Sequence, residues 1–229
     1  MKLLAIDTAT RCCSVAVRVD DRTAVELATL SNRTHSVHLM TLVQQALQLA
    51  ESDLHRLDGL AVTIGPGSFT GLRIGISTAK GLAFAAGKPC IGVSSLETLA
   101  FACLPWPNPI CVLMDARKGD VYAAIFRDIG GRLERIGDEQ VLAPHAILQT
   151  IDSPHLFVGD AVPIYEKHIR DLVGDHAEWA PADRHYPKAS IVARLAVERL
   201  AGATCEEAAR LVPHYIRRSD AERPQRSTG

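Results

Sequence analysis

Residues 65–87, GPGSFTGLRIGISTAKGLAFAAG, limit the options of this chain more than any other stretch. An apolar run, LAVTI, leads into Gly65-Pro66-Gly67, and Ser68 and Thr70 stand where a long helical pattern begins. Glycine opens backbone conformations closed to other residues, and a Ser or Thr side chain ahead of a helix caps its first N–H groups. The stretch reads as strand, glycine turn and helix N-terminus, where backbone N–H groups converge as they do around phosphates. Inside the helix, Gly71, Gly75, Ala79, Ala83 and Gly87 recur every four residues and share one face. A glycine within a helix costs roughly 1 kcal/mol against alanine, so this bulk-free row implies that another backbone comes close to it.

The opening segment supplies a second constraint. Leu3 to Asp7 is a short apolar strand ending on a carboxylate, and Thr8 and Thr10 follow in a turn. Cys13, Val15, Val17 and Val19 then alternate with Ser14, Ala16, Arg18 and Asp20, the period of a half-buried strand. A third strand returns over residues 23–30. The pattern recurs: residues 111–126, CVLMDARKGDVYAAIF, lie over residues 3–18, LLAIDTATRCCSVAVR, with Asp115 on Asp7, Val121 on Cys13, Ala124 on Ala16 and Ile125 on Val17. Pro105, Pro107 and Pro109 interrupt the chain between the copies. The expected organisation is an N-terminal lobe over residues 1–105, a C-terminal lobe over 106–218 whose final helices pack back on the first, and a polar tail at 219–229. Strands are expected at 57–64, 90–93, 132–136, 139–142 and 156–158, with an irregular stretch at 174–187. Helices are expected at 35–50, from Ser95 to about Cys103, after Pro144, after Gly159, at 190–200 and at about 204–211. The 35–50 helix carries an apolar arc wider than one core face needs. It is either buried within the chain or meets a partner with its second side.

Lys and Arg number 25 against 26 for Asp and Glu, which excludes the basic footprint of an independent nucleic-acid binder. The six cysteines are scattered without a CxxC pair, as expected of buried reduced thiols, with metal or disulfide use the alternative. The N-terminal apolar segment is too short for a signal peptide, and no apolar run approaches the ~18 residues of a membrane span. The chain is expected to be cytoplasmic.

Two chemical readings of these motifs stand beside bland ones. Asp7 and Asp115 end equivalent strands, and carboxylates so placed can hold a hydrated Mg²⁺ beside a nucleotide; alternatively each accepts hydrogen bonds within its own turn. With Thr8, Thr10, Gly65, Gly67 and Ser68 they form a candidate, degenerate nucleotide site. The glycine turn is not a Walker loop, since no Gly-Lys-Ser/Thr follows, and a plain tight turn also explains it. His35 and His38 are three apart on one helix but lack further ligands at a telling spacing, which suits surface or interface histidines better than metal ligands. No serine sits in a nucleophile elbow.

Four stretches together resemble one family: LLAIDTAT, THSVHLMTLVQQAL, VTIGPGSFTGLRIGISTAKGLAFAAGKPCIGVSSLETLA and PHYIRRSD. The chain is identified as a member of the TsaB (YeaZ) family of bacterial tRNA threonylcarbamoyladenosine synthesis. The resemblance implies an α/β, duplicated two-lobe fold of the actin, Hsp70 and sugar-kinase class. It also implies work beside a catalytic paralogue, TsaD, and an ATPase, TsaE, with tRNA bound through the complex and any ATP, ADP or Mg²⁺ belonging to that complex. The paralogue's His-x-x-x-His metal pair falls here on Ser95 and Leu99. Leucine cannot ligate a metal and serine is a poor ligand for iron or zinc, so a non-catalytic subunit with no catalytic residues and no metal is expected. The family's pairing surface corresponds to the helices at 35–50 and 71–87. The expected contact residues are His35, His38, Leu39, Met40 and Leu47 on the first, and Gly71, Arg73, Gly75, Ser77, Ala79, Lys80 and Ala83 on the second. The same pair suits a homodimer of the free chain. An ATP-dependent enzyme of small-molecule kinase type is the alternative, and a protease a more distant one.

Overall fold

The computed structural model describes residues 1–200, 208 and 210–216. Two five-stranded sheets repeat one topology. In the first, β1 (Lys2–Asp7) pairs antiparallel with β2 (Cys12–Val19), which pairs antiparallel with β3 (Arg22–Leu30). On its other side β1 runs parallel to β4 (Gly59–Gly65), and β4 runs parallel to β5 (Cys90–Ser94). In the second sheet β6 (Ile110–Asp115), β7 (Val121–Ile129), β8 (Arg132–Leu142), β9 (His155–Val158) and β10 (Ala177–Trp179) take the corresponding places. Parallel neighbours need crossovers, which here carry the helices.

The repeat is real, but its register differs by one residue from the ungapped overlay. Asp7 faces Ser14, whereas Asp115 faces Val121. The turn after β6 is therefore one residue shorter than the turn after β1. Val121 corresponds to Ser14 rather than Cys13, Ala124 to Val17 rather than Ala16, and Ile125 to Arg18 rather than Val17. The strands expected separately at 132–136 and 139–142 form one strand, β8, whose ladder with β7 shifts between Ala123 and Ile125. Gly137 in β8 has φ 74°, a bulge of the kind that lets pairing resume after an extra residue. β10 lies inside the stretch read as irregular.

Alternation along the strands sorts the core. Leu4, Ile6, Val15, Val17, Leu60 and Val62 pack with α1 (Leu39–Leu49) and α2 (Phe69–Ala86). Ala5, Ala16, Ala61 and Val93 face α6 (Ala189–Leu200), whose Ala189, Val192, Ala193 and Ala196 are small enough to lie close to the sheet. The helix expected at 35–50 is split: a short turn of 3₁₀ helix at His35–Val37 precedes α1. α3 (Ser95–Phe101) touches strands of both sheets and α6. α4 (Pro144–Leu148) and α5 (Val162–Val173) cover the far face of the second sheet through Leu148, Val162, Ile169 and Val173. Residues 211–216 cross back to the first lobe. There the His214 N–H donates to the Ile64 carbonyl at 2.7 Å, and Tyr215 stacks on Phe69 at 5.1 Å. The short helix expected at 204–211 falls largely, and the tail at 219–229 entirely, outside the described residues.

The five described cysteines are buried and free. Burial pushes the thiols of Cys12, Cys13, Cys90 and Cys111 up to about 12 and that of Cys103 to about 11, which keeps them protonated and unreactive.

Candidate functional site

The two Asp-ended strands point toward a cleft of about 970 Å³ between the lobes. Asp7 itself does not reach it. Its side chain is wholly buried; Oδ1 accepts from the Thr63 hydroxyl at 2.7 Å and from the Ala9 N–H at 3.3 Å, and Oδ2 has no partner. Burial outweighs those hydrogen bonds and pushes the Asp7 carboxyl up to about 7, as expected for a charge withdrawn from water. Asp115 accepts the N–H of Arg117 at 2.8 Å and pairs with its guanidinium at 3.3 Å. Both aspartates thus bond the N–H two residues on, the within-turn role that the sequence left open.

The glycine turn seals the first of them. The Ser68 N–H donates to the Ala9 carbonyl at 2.7 Å, and the Ser68 side chain caps α2 by accepting from the Gly71 N–H at 3.2 Å. A Cβ on Gly67 would overlap the Ala9 carbonyl. A Cβ on Gly71 or Gly75 would collide with Thr8, whose hydroxyl donates to the Gly71 carbonyl at 2.8 Å. The close approach implied by the bulk-free row is thus made within the chain, to the turn after β1. Ala79 and Ala83 continue the row into the core at 0% exposure.

Of the candidate nucleotide-site residues, Thr10, Gly67, Ser68 and Asp115 line the cleft and Asp7, Thr8 and Gly65 do not, so a magnesium ion held at Asp7 does not fit. Asp7 is out of reach of a hydrated cation, the Ser68 amide is already bonded, and Thr8 is pinned to α2. Thr10 is buried, with its hydroxyl accepting from the Cys12 N–H at 3.1 Å. Gly65 lies beneath the His214 carbonyl. Among the described residues no cluster of three His, Cys, Asp or Glu side chains is arranged to hold a metal.

The expected partner surface divides in two. His35, Leu39, Leu47, Gly71, Gly75, Ala79 and Ala83 are turned inward. His35 donates from Nε2 to the Thr10 carbonyl at 2.8 Å, a structural bond rather than an interface contact. Met40, Arg73 and Ser77 are exposed, and His38 and Lys80 are half-buried. Arg73 lies over the Phe69 ring at 3.8 Å and donates to the Tyr215 hydroxyl at 2.9 Å, while Lys80 donates to the Leu211 carbonyl at 3.1 Å. Sequence reasoning passed over the most exposed apolar side chain of this surface, Phe84 at 92% exposure, because it stands apart from the four-residue row. It also passed over Arg11, Arg33, Arg117, Lys118 and Tyr186 in the cleft. The run DARKGD, set over DTATRC at the end of the first strand, carried that signal: both turns are cationic.

A family model described as TsaD, tRNA N6-adenosine threonylcarbamoyltransferase, matches residues 28–225. The chain is 34% identical over 225 residues to the tRNA threonylcarbamoyladenosine biosynthesis protein TsaB of Bacillus subtilis (strain 168), covering 97% of this chain and 96% of that one. The chain belongs to the TsaB (YeaZ) family. YeaZ from Pseudomonas aeruginosa superposes with a TM-score of 0.77 at 29% identity, over 93% of this chain and 99% of that one. The ROK hexokinase from Thermus thermophilus, at 12% identity and a TM-score of 0.50 over 87% and 100% of the two chains, is alike in fold alone. The TsaB family is thus built on the sugar-kinase architecture and is named for a tRNA modification. Among the described residues no helix is long and apolar enough to cross a membrane.

Proposed function

We propose that this chain is a non-catalytic subunit required for threonylcarbamoyl transfer to the adenosine next to the anticodon of tRNAs reading codons that begin with A. It acts in the cytoplasm with a TsaD-type catalytic paralogue and a TsaE-type ATPase. The observation that carries the reading is α3. Ser95 and Leu99, the positions that match the paralogue's metal pair, are both fully buried, and neither lines the interlobe cleft. Leu99 belongs to the apolar core and offers no donor atom, so a metal-assisted transfer has no ligand set there.

The outer surface of the first lobe supports a docking role. Val37 and Met40 are 52% and 53% exposed, Leu49 is 64% exposed, and Phe84 stands almost wholly in solvent. Large apolar side chains left exposed on α1, α2 and the turn before α1 suit an association surface, and the paralogue or a second copy of this chain would cover it. The balance of 25 basic against 26 acidic residues suits a subunit that meets tRNA through the complex. The alternative ATP-dependent enzyme needs Asp7 open to ligand, and Asp7 is wholly buried.

An omission experiment tests this. Transfer to tRNA is reconstituted from threonylcarbamoyl-adenylate synthase, paralogue and ATPase, with and without this chain. Transfer is expected to be lost on omission and absent with this chain alone. Undiminished transfer without it, or turnover by it alone, overturns the proposal.

A further inference from the structure

On the face of the first sheet opposite α1 and α2, a hollow of about 530 Å³ opens between the β2–β3 hairpin and the start of α6. Successive side chains of a strand point to opposite faces. Ser14 bonds the Ala189 N–H, Ala16 packs against α6, and Arg18 follows them onto that side of β2. The β2–β3 ladder shifts at Val17 and Arg18, with Ala24 the extra residue on β3, and this sets Thr23 opposite Arg18. From α6, Ser190, Ile191 and Arg194 complete the rim; Arg194 lies four and three residues after the other two, so the three share one helix face.

Arg18 is poorly satisfied there. Its side chain is 11% exposed, and its Nε is buried with no hydrogen-bond partner among the described residues. Its ion pair with Asp21 spans 3.6 Å, to a carboxylate standing fully in solvent. A pair so screened neutralises little, whereas buried polar groups ordinarily have a partner. Arg194 stacks on Phe101, its guanidinium carbon 4.9 Å from the ring centroid. A guanidinium stacked on a ring still directs its N–H donors outward in its own plane. The Ser190 hydroxyl donates to Glu26 at 2.8 Å, so the donors the hollow offers are the two guanidinium groups and the Thr23 hydroxyl.

We propose that this hollow binds a phosphate group, as the free anion or on a nucleic-acid backbone, between Arg18 and Arg194. Guanidinium groups meet phosphate oxygens in two-point hydrogen bonds. A phosphate gives Arg18 a charge-assisted partner and displaces Asp21, which is held only by a long, solvent-screened pair. The site is separate from the interlobe cleft, since none of its six lining residues lines that cleft. It also lies across the sheet from the exposed side chains of α1 and α2, so a partner seated on those helices leaves it open.

Nuclear magnetic resonance of the full chain, labelled with nitrogen-15 in its arginines, tests the site through the Arg18 and Arg194 Nε–H resonances. The chain is titrated with sodium phosphate, and with sodium chloride at matched ionic strength. Saturable shifts of both resonances are expected with phosphate and none with chloride. Arg194→Gln should weaken binding about tenfold or more, since a two-point charge-assisted contact is lost. Asp21→Asn should tighten it about threefold, since the competing carboxylate is gone. Both variants alter exposed side chains, and circular dichroism checks their fold. A tRNA transcript used in place of phosphate separates the two sources. Tighter binding of the transcript assigns a backbone phosphate, and equal or tighter binding of the free ion assigns the small anion. Shifts that neither ligand saturates, that chloride reproduces, or that Arg194→Gln leaves in place overturn the proposal. So does weaker binding in Asp21→Asn. The titration uses this chain alone, so its outcome is independent of the omission experiment.

Discussion

β1 and β6 hold the same place in their sheets, end on an aspartate, and fold that aspartate into the same hydrogen bond to the N–H two residues on. Their surroundings differ. Against the turn after β1 lies α2, whose Gly71 and Gly75 let the helix backbone settle onto Thr8, and the 65–68 turn closes over Ala9. Asp7 ends up without solvent, while the Asp115 side chain keeps 20% exposure beside Arg117. Duplicating a backbone has not duplicated its chemistry. The element packed against each strand end decides whether its carboxylate is a core group or a cleft group.

The comparison breaks most sharply if the seal is forced open. Gly75→Leu drives a side chain into Thr8 and should destabilise the chain by about 3 kcal/mol or more, as overpacking against a fixed turn does. Chemical denaturation measures it. Gly81, on the same helix with nothing within 4 Å, is the control: Gly81→Ala should stabilise by about 0.5–1 kcal/mol.

Next in size is the pH dependence of the sealed carboxyl. Its folded value of about 7 lies above the ordinary aspartate value of 3.8. Below the lower value both states are protonated and nothing is lost. As pH rises from there to about 7, the unfolded carboxyl ionises while the folded one keeps its proton, so stability falls; above about 7 the folded state carries the buried charge and the loss is complete. Asp7→Asn removes that charge and leaves an oxygen to accept from Thr63. It should gain on the order of 2–4 kcal/mol over the parent at pH 8, with the gain gone near pH 4. Unfolding midpoints across that range check the slope. Asp115→Asn, which loses a half-exposed pair, should shift stability by less than about 1 kcal/mol.

The strand ends, the glycine turn and the capped helix after it were legible in the sequence because period-two alternation and glycine placement are local. The spacing of Gly71, Gly75, Ala79 and Ala83 announced a close approach but could not say to what. Thr8 lies more than sixty residues away, and only folding brings the two together. β8 was read as two strands because Gly137 interrupts the alternation while the ladder continues around it. β10 has three residues, too few for a period to show. The cations of the cleft were missed for a related reason. Arg11 and Arg117 are more than a hundred residues apart, and their convergence exists only once both lobes have closed. The family was legible from long motifs, whereas helix burial, which separates Leu39 from Met40, depended on tertiary packing.

One reconstitution tests the central claim, that this chain works through its outer helices and not through a metal held at Asp7. Transfer to tRNA is measured with the catalytic paralogue, the ATPase, the synthase and one of two variants of this chain. Asp7→Asn should support transfer within about twofold of the parent, whereas Phe84→Glu, which places a charge on the exposed apolar face, should lower it about tenfold through lost association. Transfer abolished by Asp7→Asn in a folded chain and untouched by Phe84→Glu would contradict the account.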